Sequence, residues 1–146
     1  MLGETSIHFH YEEVKFRLSD PTEEKTWVLE SIQSESMRCG ELNFIFCSDQ
    51  YLLKINQTYL KHDYYTDVIT FNYNQSQVVA GDIFISIERV MDNARKHATS
   101  FINELRRVLM HGVLHLIGYN DKDSDERTEM RAKEDFYLTL HPLRKD

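Results

Sequence analysis

The stretch that organises this sequence is MHGVLHLIGYND, which occupies positions 110–121. Its two histidines, His111 and His115, are four residues apart, so on a helix they project from the same face, one turn apart. Gly118 can adopt positive φ and end the helix, and Asp121 follows at a distance that lets the turn return it beside the imidazoles. Two imidazoles and one carboxylate are three of the four ligands that zinc prefers, and a fourth position open to water is typical of catalytic sites. The sequence therefore predicts a metal site with His111, His115 and Asp121 as ligands.

The surroundings of the two histidines favour a metal site over a chance pair. Their neighbours are almost all apolar: Val108, Leu109, Met110, Val113, Leu114, Leu116 and Ile117. A buried helix gains nothing from unpartnered imidazoles, because polar groups removed from water need partners. The remaining histidines have no ligand spacing relative to this cluster, and we expect them at the surface: His8, His10, His62, His97 and His141.

The patterning of the whole chain predicts an α/β (α+β) fold in the order β-α-β-α-β-β-α-α-α. Strands are expected near residues 6–11, 41–47, 67–72 and 78–88. Helices are expected from Pro21 to an end at Gly40, from Ser48, over 88–97, from Thr99 or Ser100, and after Asp123. The two β-α-β steps predict parallel strands, and the short loop near 72–77 predicts one antiparallel pair. We expect one compact domain over residues 1–146, a small mixed sheet of about four strands packed with helices, and the metal site on the C-terminal helix pair.

Composition limits the possible functions without selecting one. The chain has 146 residues, of which 41% are hydrophobic and 28% charged, as is usual for a folded, water-soluble protein. The net charge of −7 argues against extensive nucleic-acid binding, although a local basic patch can still contact phosphates. The sequence has no apolar run long enough for a membrane span and no secretory signal pattern at its start. Cys39 and Cys47 form no CxxC motif, so we expect a cytoplasmic protein.

Three segments together resemble the YbeY family of bacterial endoribonucleases. They are YTDVITF at 65–71, GDI at 81–83 and HGVLHLIGY at 111–119, and the match extends over roughly residues 42–136. The resemblance implies a zinc-dependent, cytoplasmic enzyme that acts in ribosomal RNA maturation, especially at the small-subunit 3′ end, and in ribosome quality control. The implied partners are ribosomal RNA and ribosomal particles, with neither DNA nor a membrane expected.

The sequence departs from the usual pattern of that family at two positions. The family continues as Gly-Tyr-Asp-His with a third histidine ligand, whereas this chain has Asn120 and then Asp121. A carboxylate ligand lowers the net charge of the site by one, so we expect a bound water to be less acidified. The second departure is Leu60, which follows Tyr59 where the family usually carries an arginine.

The leading hypothesis is metal-assisted hydrolysis of an RNA phosphodiester. Lys61 is the first candidate to contact the phosphate backbone, although a plain solvated lysine is the more ordinary role for a single residue of this type, and Arg89 and Arg95 are further candidates. Asp67 and Asp82 are candidates to hold a ligand imidazole, unless they only cap or hydrogen-bond at the strand ends.

Three other functions stay open from the residues alone. A zinc peptidase is disfavoured because Gly112 stands where that class carries its glutamate base. The two-histidine, one-carboxylate set also suits non-haem iron, so a non-haem iron enzyme is the second possibility, with iron or another divalent metal in place of zinc. A non-catalytic, ribosome-associated binding protein with a structural metal is the third possibility.

Overall fold

Residues 6–62 and 66–144 fold as a four-stranded mixed sheet packed with five helices. A computed structural model describes residues 6–62 and 66–144, so Tyr65 of the first motif and the ends of the predicted 1–146 domain lie outside the described residues. The elements are β1 (Ile7–Glu12), α1 (Pro21–Ser34), β2 (Arg38–Cys47), α2 (Asp49–Leu60), β3 (Val68–Asn72), β4 (Val78–Ser86), α3 (Ile87–Lys96), α4 (Phe101–Ile117) and α5 (Ser124–Thr139). This order confirms the prediction from the sequence.

The sheet has the strand order β1-β2-β4-β3. β1 pairs with β2, and β2 with β4, in parallel. Helix α1 returns the chain between β1 and β2, whereas β3, which runs opposite to both β2 and β4, returns it before β4. The second predicted β-α-β step, from β2 through α2 to β3, therefore gives no parallel pair. β3 and β4 are antiparallel neighbours, with Thr70 opposite Ile83. The predicted mixture of parallel strands and one antiparallel pair is therefore confirmed.

Helix α4 lies against the sheet face on which the main core is built. Leu109, Met110 and Val113 of α4 are fully buried in the same cluster as Phe44 and Ile83 of the sheet. A Cβ atom at Gly112 would lie only 2.8 Å from Ile83 Cγ2, so the glycine allows the helix backbone to approach β4 closely. A smaller core on the opposite sheet face joins Leu52 of α2 to the strands.

Side-chain caps start α2, α4 and α5 where the sequence predicts. Ser48 Oγ accepts a hydrogen bond from Tyr51 N at the start of α2. Of the two candidate caps for α4, Ser100 is the one used. Asp123 and Glu126 form a complete capping box at the start of α5, which holds that helix in place beside α4.

Gly40 does not end a helix, contrary to the prediction. Helix α1 already ends at Ser34, and Ser36 takes the positive φ of 63° that turns the chain. Gly40 lies inside β2, next to an irregularity in the pairing with β4. A Cβ there would be 2.7 Å from Val78 Cγ1, so the glycine is needed for close packing of the strands.

His141 is buried, which corrects the prediction of a surface position. Its ring stacks near Trp27 at a centroid distance of 4.8 Å, and its Nε2 lies 2.8 Å from Glu24 Oε1. Arg106 also donates to Glu24, so these buried polar groups satisfy one another. Within residues 6–62 and 66–144, no helix combines the length and low polarity needed to cross a membrane.

Candidate metal centre

Helix α4 ends at the turn that carries the third predicted ligand. Gly118 has φ of 128°, and its N–H donates to the carbonyls of Leu114 and His115 at 3.1 Å. No atom lies within 4 Å of a Cβ built at Gly118, so the backbone conformation, and not space, requires glycine. The chain then reverses and brings Asp121 back over the last turns of the helix.

The structure brings His111, His115 and Asp121 together. The two histidine Nε2 atoms are 3.0 Å apart, and Asp121 Oδ2 lies 3.2 Å from the first and 3.3 Å from the second. Among the described residues, these three side chains form a group whose ligand atoms lie close enough together to hold a metal ion, and we call them the metal cluster. Their side chains are 24%, 25% and 38% exposed, so the cluster is open to solvent on one side.

The spacing of the three atoms fits a metal ion. Tetrahedral zinc with bonds of about 2.0–2.1 Å separates its ligand atoms by roughly 3.3–3.4 Å. An octahedral ion with the same bond lengths separates neighbouring ligands by roughly 2.9–3.0 Å. The observed 3.0–3.3 Å falls between these values, so the residues suit a divalent metal without selecting zinc over iron.

Each histidine is oriented by a partner on its other ring nitrogen. His111 Nδ1 lies 2.6 Å from Glu134 Oε2, and His115 Nδ1 lies 3.0 Å from the carbonyl oxygen of Tyr119. Both partners are acceptors, so each Nδ1 carries the proton when the ring is neutral. Each Nε2 then presents its lone pair to the cluster, which is the form that binds metal.

Glu134 is itself held in a network of charges. It is buried on α5, and Arg107 Nη1 donates to its other carboxylate oxygen at 2.9 Å, while Arg107 Nη2 donates to Asp135 at 2.7 Å. Burial lowers the pKa of His111, but the hydrogen bond and charge of Glu134, together with the charge of Asp121, raise it above its ordinary value. Glu134 was not identified from the sequence. Its position on α5 between Met130 and Tyr137, on the same buried face of the helix, would have predicted a buried carboxylate.

Tyr119 connects the metal cluster to the end of α1. Its hydroxyl donates to Glu35 Oε1 at 2.7 Å, while its carbonyl accepts from His115. Tyr137 and Lys133 of α5 also donate to Glu35. Burial raises the pKa of Glu35, but these three donors lower it below its ordinary value. The turn that carries Asp121 is therefore tied to both α1 and α5.

Neither Asp67 nor Asp82 holds an imidazole, because both Nδ1 atoms already have other partners. Asp67 lies in the same pocket as His111, and Asn93 donates to its carboxylate at 3.1 Å. Burial raises the pKa of Asp67 above its ordinary value, although the charge of His111 acts against this. Gly81 faces Leu116 of α4. Because successive residues of a strand point to opposite faces, the side chain of Asp82 points away from α4, where Asn43 donates a hydrogen bond to it.

The predicted phosphate contacts do not reach the pocket around the metal cluster. Arg89 pairs with Asp49 at 2.9 Å, and Arg95 pairs with Asp92 at 2.9 Å. Lys61 ends helix α2 in the left-handed conformation and is exposed. Two other basic residues, Arg127 and Arg131 of α5, line the pocket of about 290 Å³ beside His111 and Asp121.

Comparison with known proteins identifies the family of the chain. The family model described as Endoribonuclease YbeY matches residues 6–141. Endoribonuclease YbeY of Cytophaga hutchinsonii is 48% identical over 140 residues, covering 95% of this chain and 98% of the relative. The protein of the same name from Flavobacterium psychrophilum is 47% identical, covering 96% of this chain and 99% of the relative.

A solved structure shares the fold. The solution structure of TM1509 from Thermotoga maritima superposes with a TM-score of 0.64 at 28% sequence identity, covering 89% of this chain and 86% of that one. The α/β fold predicted from the sequence is thus found both in the chain and in a structural neighbour. The sequence matches cover nearly the full length of this chain and of its relatives, and they include the segment with the two histidines. The chain belongs to the endoribonuclease YbeY family.

Proposed function

We propose that this endoribonuclease uses a divalent metal, zinc in the first place, to hydrolyse ribosomal RNA in the cytoplasm. The observation that carries the proposal is the convergence of His111, His115 and Asp121, with three ligand atoms 3.0–3.3 Å apart. The proposed substrate is precursor RNA of the small ribosomal subunit near its 3′ end, encountered in ribosomal particles. A role in ribosome quality control belongs to the same proposal.

The residues of the chain prepare the site before substrate arrives. A bound divalent ion supplies Lewis acidity towards a phosphoryl oxygen and lowers the pKa of a coordinated water. Glu134 and the Tyr119 carbonyl keep the ring protons on the outer nitrogens, so His111 and His115 offer lone pairs to the ion. Asp121 adds a negative charge that a third histidine would not add. A water coordinated to such an ion would therefore be less acidified than at a three-histidine site.

The structure gives a steric reason against peptidase chemistry at this cluster. The residue after His111 is Gly112, where zinc peptidases carry a glutamate that removes a proton from water. Since a Cβ at this position would lie 2.8 Å from Ile83 Cγ2, a glutamate would collide with the core of the sheet. The relatives, which are named endoribonucleases, also do not favour the peptidase or the non-catalytic binding protein.

Metal analysis combined with an RNA assay tests the proposal. Untagged protein purified without chelator should contain close to one equivalent of zinc, and Asp121→Ala should lose most of it. The zinc-loaded protein should cleave small-subunit precursor RNA, and His115→Ala should not. His8→Ala is the matched control, because His8 is a histidine of β1 whose ring pairs with Glu41, outside the metal cluster.

Three outcomes would contradict the proposal. Cleavage that persists unchanged in His115→Ala would mean that the activity does not use this site. Stoichiometric iron, with oxygen-dependent turnover of an added 2-oxo acid, would replace the hydrolytic mechanism. Binding to ribosomal particles by both the parent and His111→Ala, with cleavage by neither, would make the chain a binding protein.

A further inference from the structure

The pocket beside the metal cluster has two exposed arginines on one wall. Arg127 and Arg131 both lie on α5, and both line the pocket that includes His111 and Asp121. Residues four apart on a helix point to the same side, with Cβ atoms about 5–6 Å apart. The two guanidinium groups therefore face one region of space next to the metal ligands.

The other charged groups of this pocket are engaged with one another. Arg107 is bound by Glu134 and Asp135, and His97 lies 3.3 Å from the buried Glu104. Asp67 adds a further carboxylate. An RNA phosphate that approaches the cluster would therefore meet several negative charges, so its binding requires cations that are not already neutralised.

Arg131 and Arg127 meet this requirement. Arg131 makes no hydrogen bond or ion pair to any of the residues that the structure describes. Arg127 donates from Nη1 to the Lys122 carbonyl at 2.9 Å, which anchors one end of its guanidinium and leaves the other nitrogens available. The capping box of Asp123 and Glu126 starts the helix only a few residues earlier, so both arginines project from a well-defined helical turn.

We propose that Arg127 and Arg131 bind the phosphate backbone of the RNA substrate beside the metal cluster. The inference rests on the proposed endoribonuclease function and names the residues that hold its substrate. Arginine is suited to this role because its planar guanidinium donates two parallel hydrogen bonds to a phosphate. Leu60 and Lys61 at the end of α2 are exposed and do not line this pocket. The basic contact in this chain thus comes from α5.

Salt-dependent RNA binding tests the proposal. The variants are Arg131→Gln, Arg127→Gln and the double variant, prepared as zinc-loaded protein, and the probe is a fluorescent single-stranded RNA with the small-subunit 3′-end sequence. Arg38→Gln is the matched control, because Arg38 is also exposed and the same charge is removed at the start of β2, outside the pocket. Zinc content and the unfolding temperature are measured alongside to confirm that each variant keeps its site and fold.

Each pocket variant should weaken RNA binding by roughly tenfold at low salt. The slope of log affinity against log salt should become shallower by about 0.7 for each arginine that contacts a phosphate of a single strand. Arg131→Lys should keep the slope while losing part of the affinity, because lysine retains the charge without the planar fork. Arg38→Gln should resemble the parent in both quantities.

Two results separate this proposal from the proposed function. If Arg127→Gln and Arg131→Gln bind RNA with the same affinity and slope as Arg38→Gln, the arginines do not hold the backbone, even if the parent cleaves RNA. If the parent binds RNA with the expected dependence on Arg131 but does not cleave it, the proposed hydrolysis is wrong and the backbone contact stands.

Discussion

Replacing Glu134 by glutamine should weaken metal binding, because glutamine has one acceptor oxygen where the carboxylate offers one to each of two donors. In the native chain, one carboxylate oxygen of Glu134 accepts from His111 Nδ1 at 2.6 Å and the other accepts from Arg107 Nη1 at 2.9 Å. Glutamine has only one acceptor oxygen, so if its oxygen faces His111, its NH₂ group must face the guanidinium. The variant also removes the negative charge that favours electron donation from His111 to a metal.

The expected loss is 10- to 100-fold in metal affinity, as is typical for a residue that orients a histidine ligand. This corresponds to about 1.4–2.8 kcal/mol of binding free energy. The dissociation constant for zinc can be measured by competition with a chromophoric chelator at constant pH. The unfolding of the metal-free variant should be followed as well, since Glu134 is buried and its replacement also affects stability.

Asp135→Asn is the matched control for this experiment. It removes the charge of the other carboxylate that binds Arg107, at 2.7 Å, but leaves the contact between Glu134 and His111 in place. Its zinc affinity should stay within about threefold of the parent, as expected for a residue without contact to a ligand. Zinc affinity of Glu134→Gln equal to that of Asp135→Asn would refute the reasoning that Glu134 tunes the metal site.

Two further predictions concern folding. Gly112→Ala should lower the unfolding free energy by about 1 kcal/mol and the unfolding temperature by about 4 °C. A Cβ at this position would lie 2.8 Å from Ile83, and the cost of this overpacking outweighs the greater helix propensity of alanine. An unfolding temperature equal to or above that of the parent would contradict this prediction. In the metal-free folded chain, the pKa of His111 lies above its ordinary value of 6.5. The stabilisation from protonation of His111 is therefore fully present below about pH 6.5, and it is lost as the pH rises through the pKa of the folded state. Urea unfolding of metal-free protein from about pH 6 to about pH 9 should show this loss, and His111→Gln should remove it; an identical pH profile for the variant would count against the assignment.

Local patterns in the sequence are sufficient for the element order and for the metal ligands. Periodicity separates strands from helices, and the caps Ser48, Ser100 and Asp123 each mark a helix start by accepting a hydrogen bond from the backbone N–H three residues later. The ligands of the metal cluster all lie within 111–121, so helical spacing and one glycine turn are enough to bring them together. The parallel pairing of β1 with β2 follows from the helix between them, and the antiparallel pairing of β3 with β4 follows from their short loop. The pairing of β2 with β4 does not follow from a single connection, because α2 and β3 both lie between these strands.

The sequence interpretation was wrong where distant segments meet. Gly40 resembles a helix stop, but its position inside β2 depends on the close approach of β4. His141 has no partner nearby in sequence, and its burial depends on Glu24 of α1, which only the folded chain brings near. Arg89 pairs with Asp49 of α2, which only the folded chain brings near. Arg95 is different, because its partner Asp92 lies three residues earlier on the same helix and could have been predicted from helical spacing.

The sequence by itself thus determined the fold class and the grouping of the three candidate metal ligands, because those features arise from residues that are neighbours along the chain. Only the tertiary structure decided what surrounds the metal cluster. Glu134 reaches His111 because α5 packs against α4, and Glu35 holds Tyr119 because α1 ends beside the same turn. Arg127 and Arg131 line the pocket for the same reason. Packing between helices depends on the whole set of buried side chains, and no local pattern records which polar groups it brings into contact.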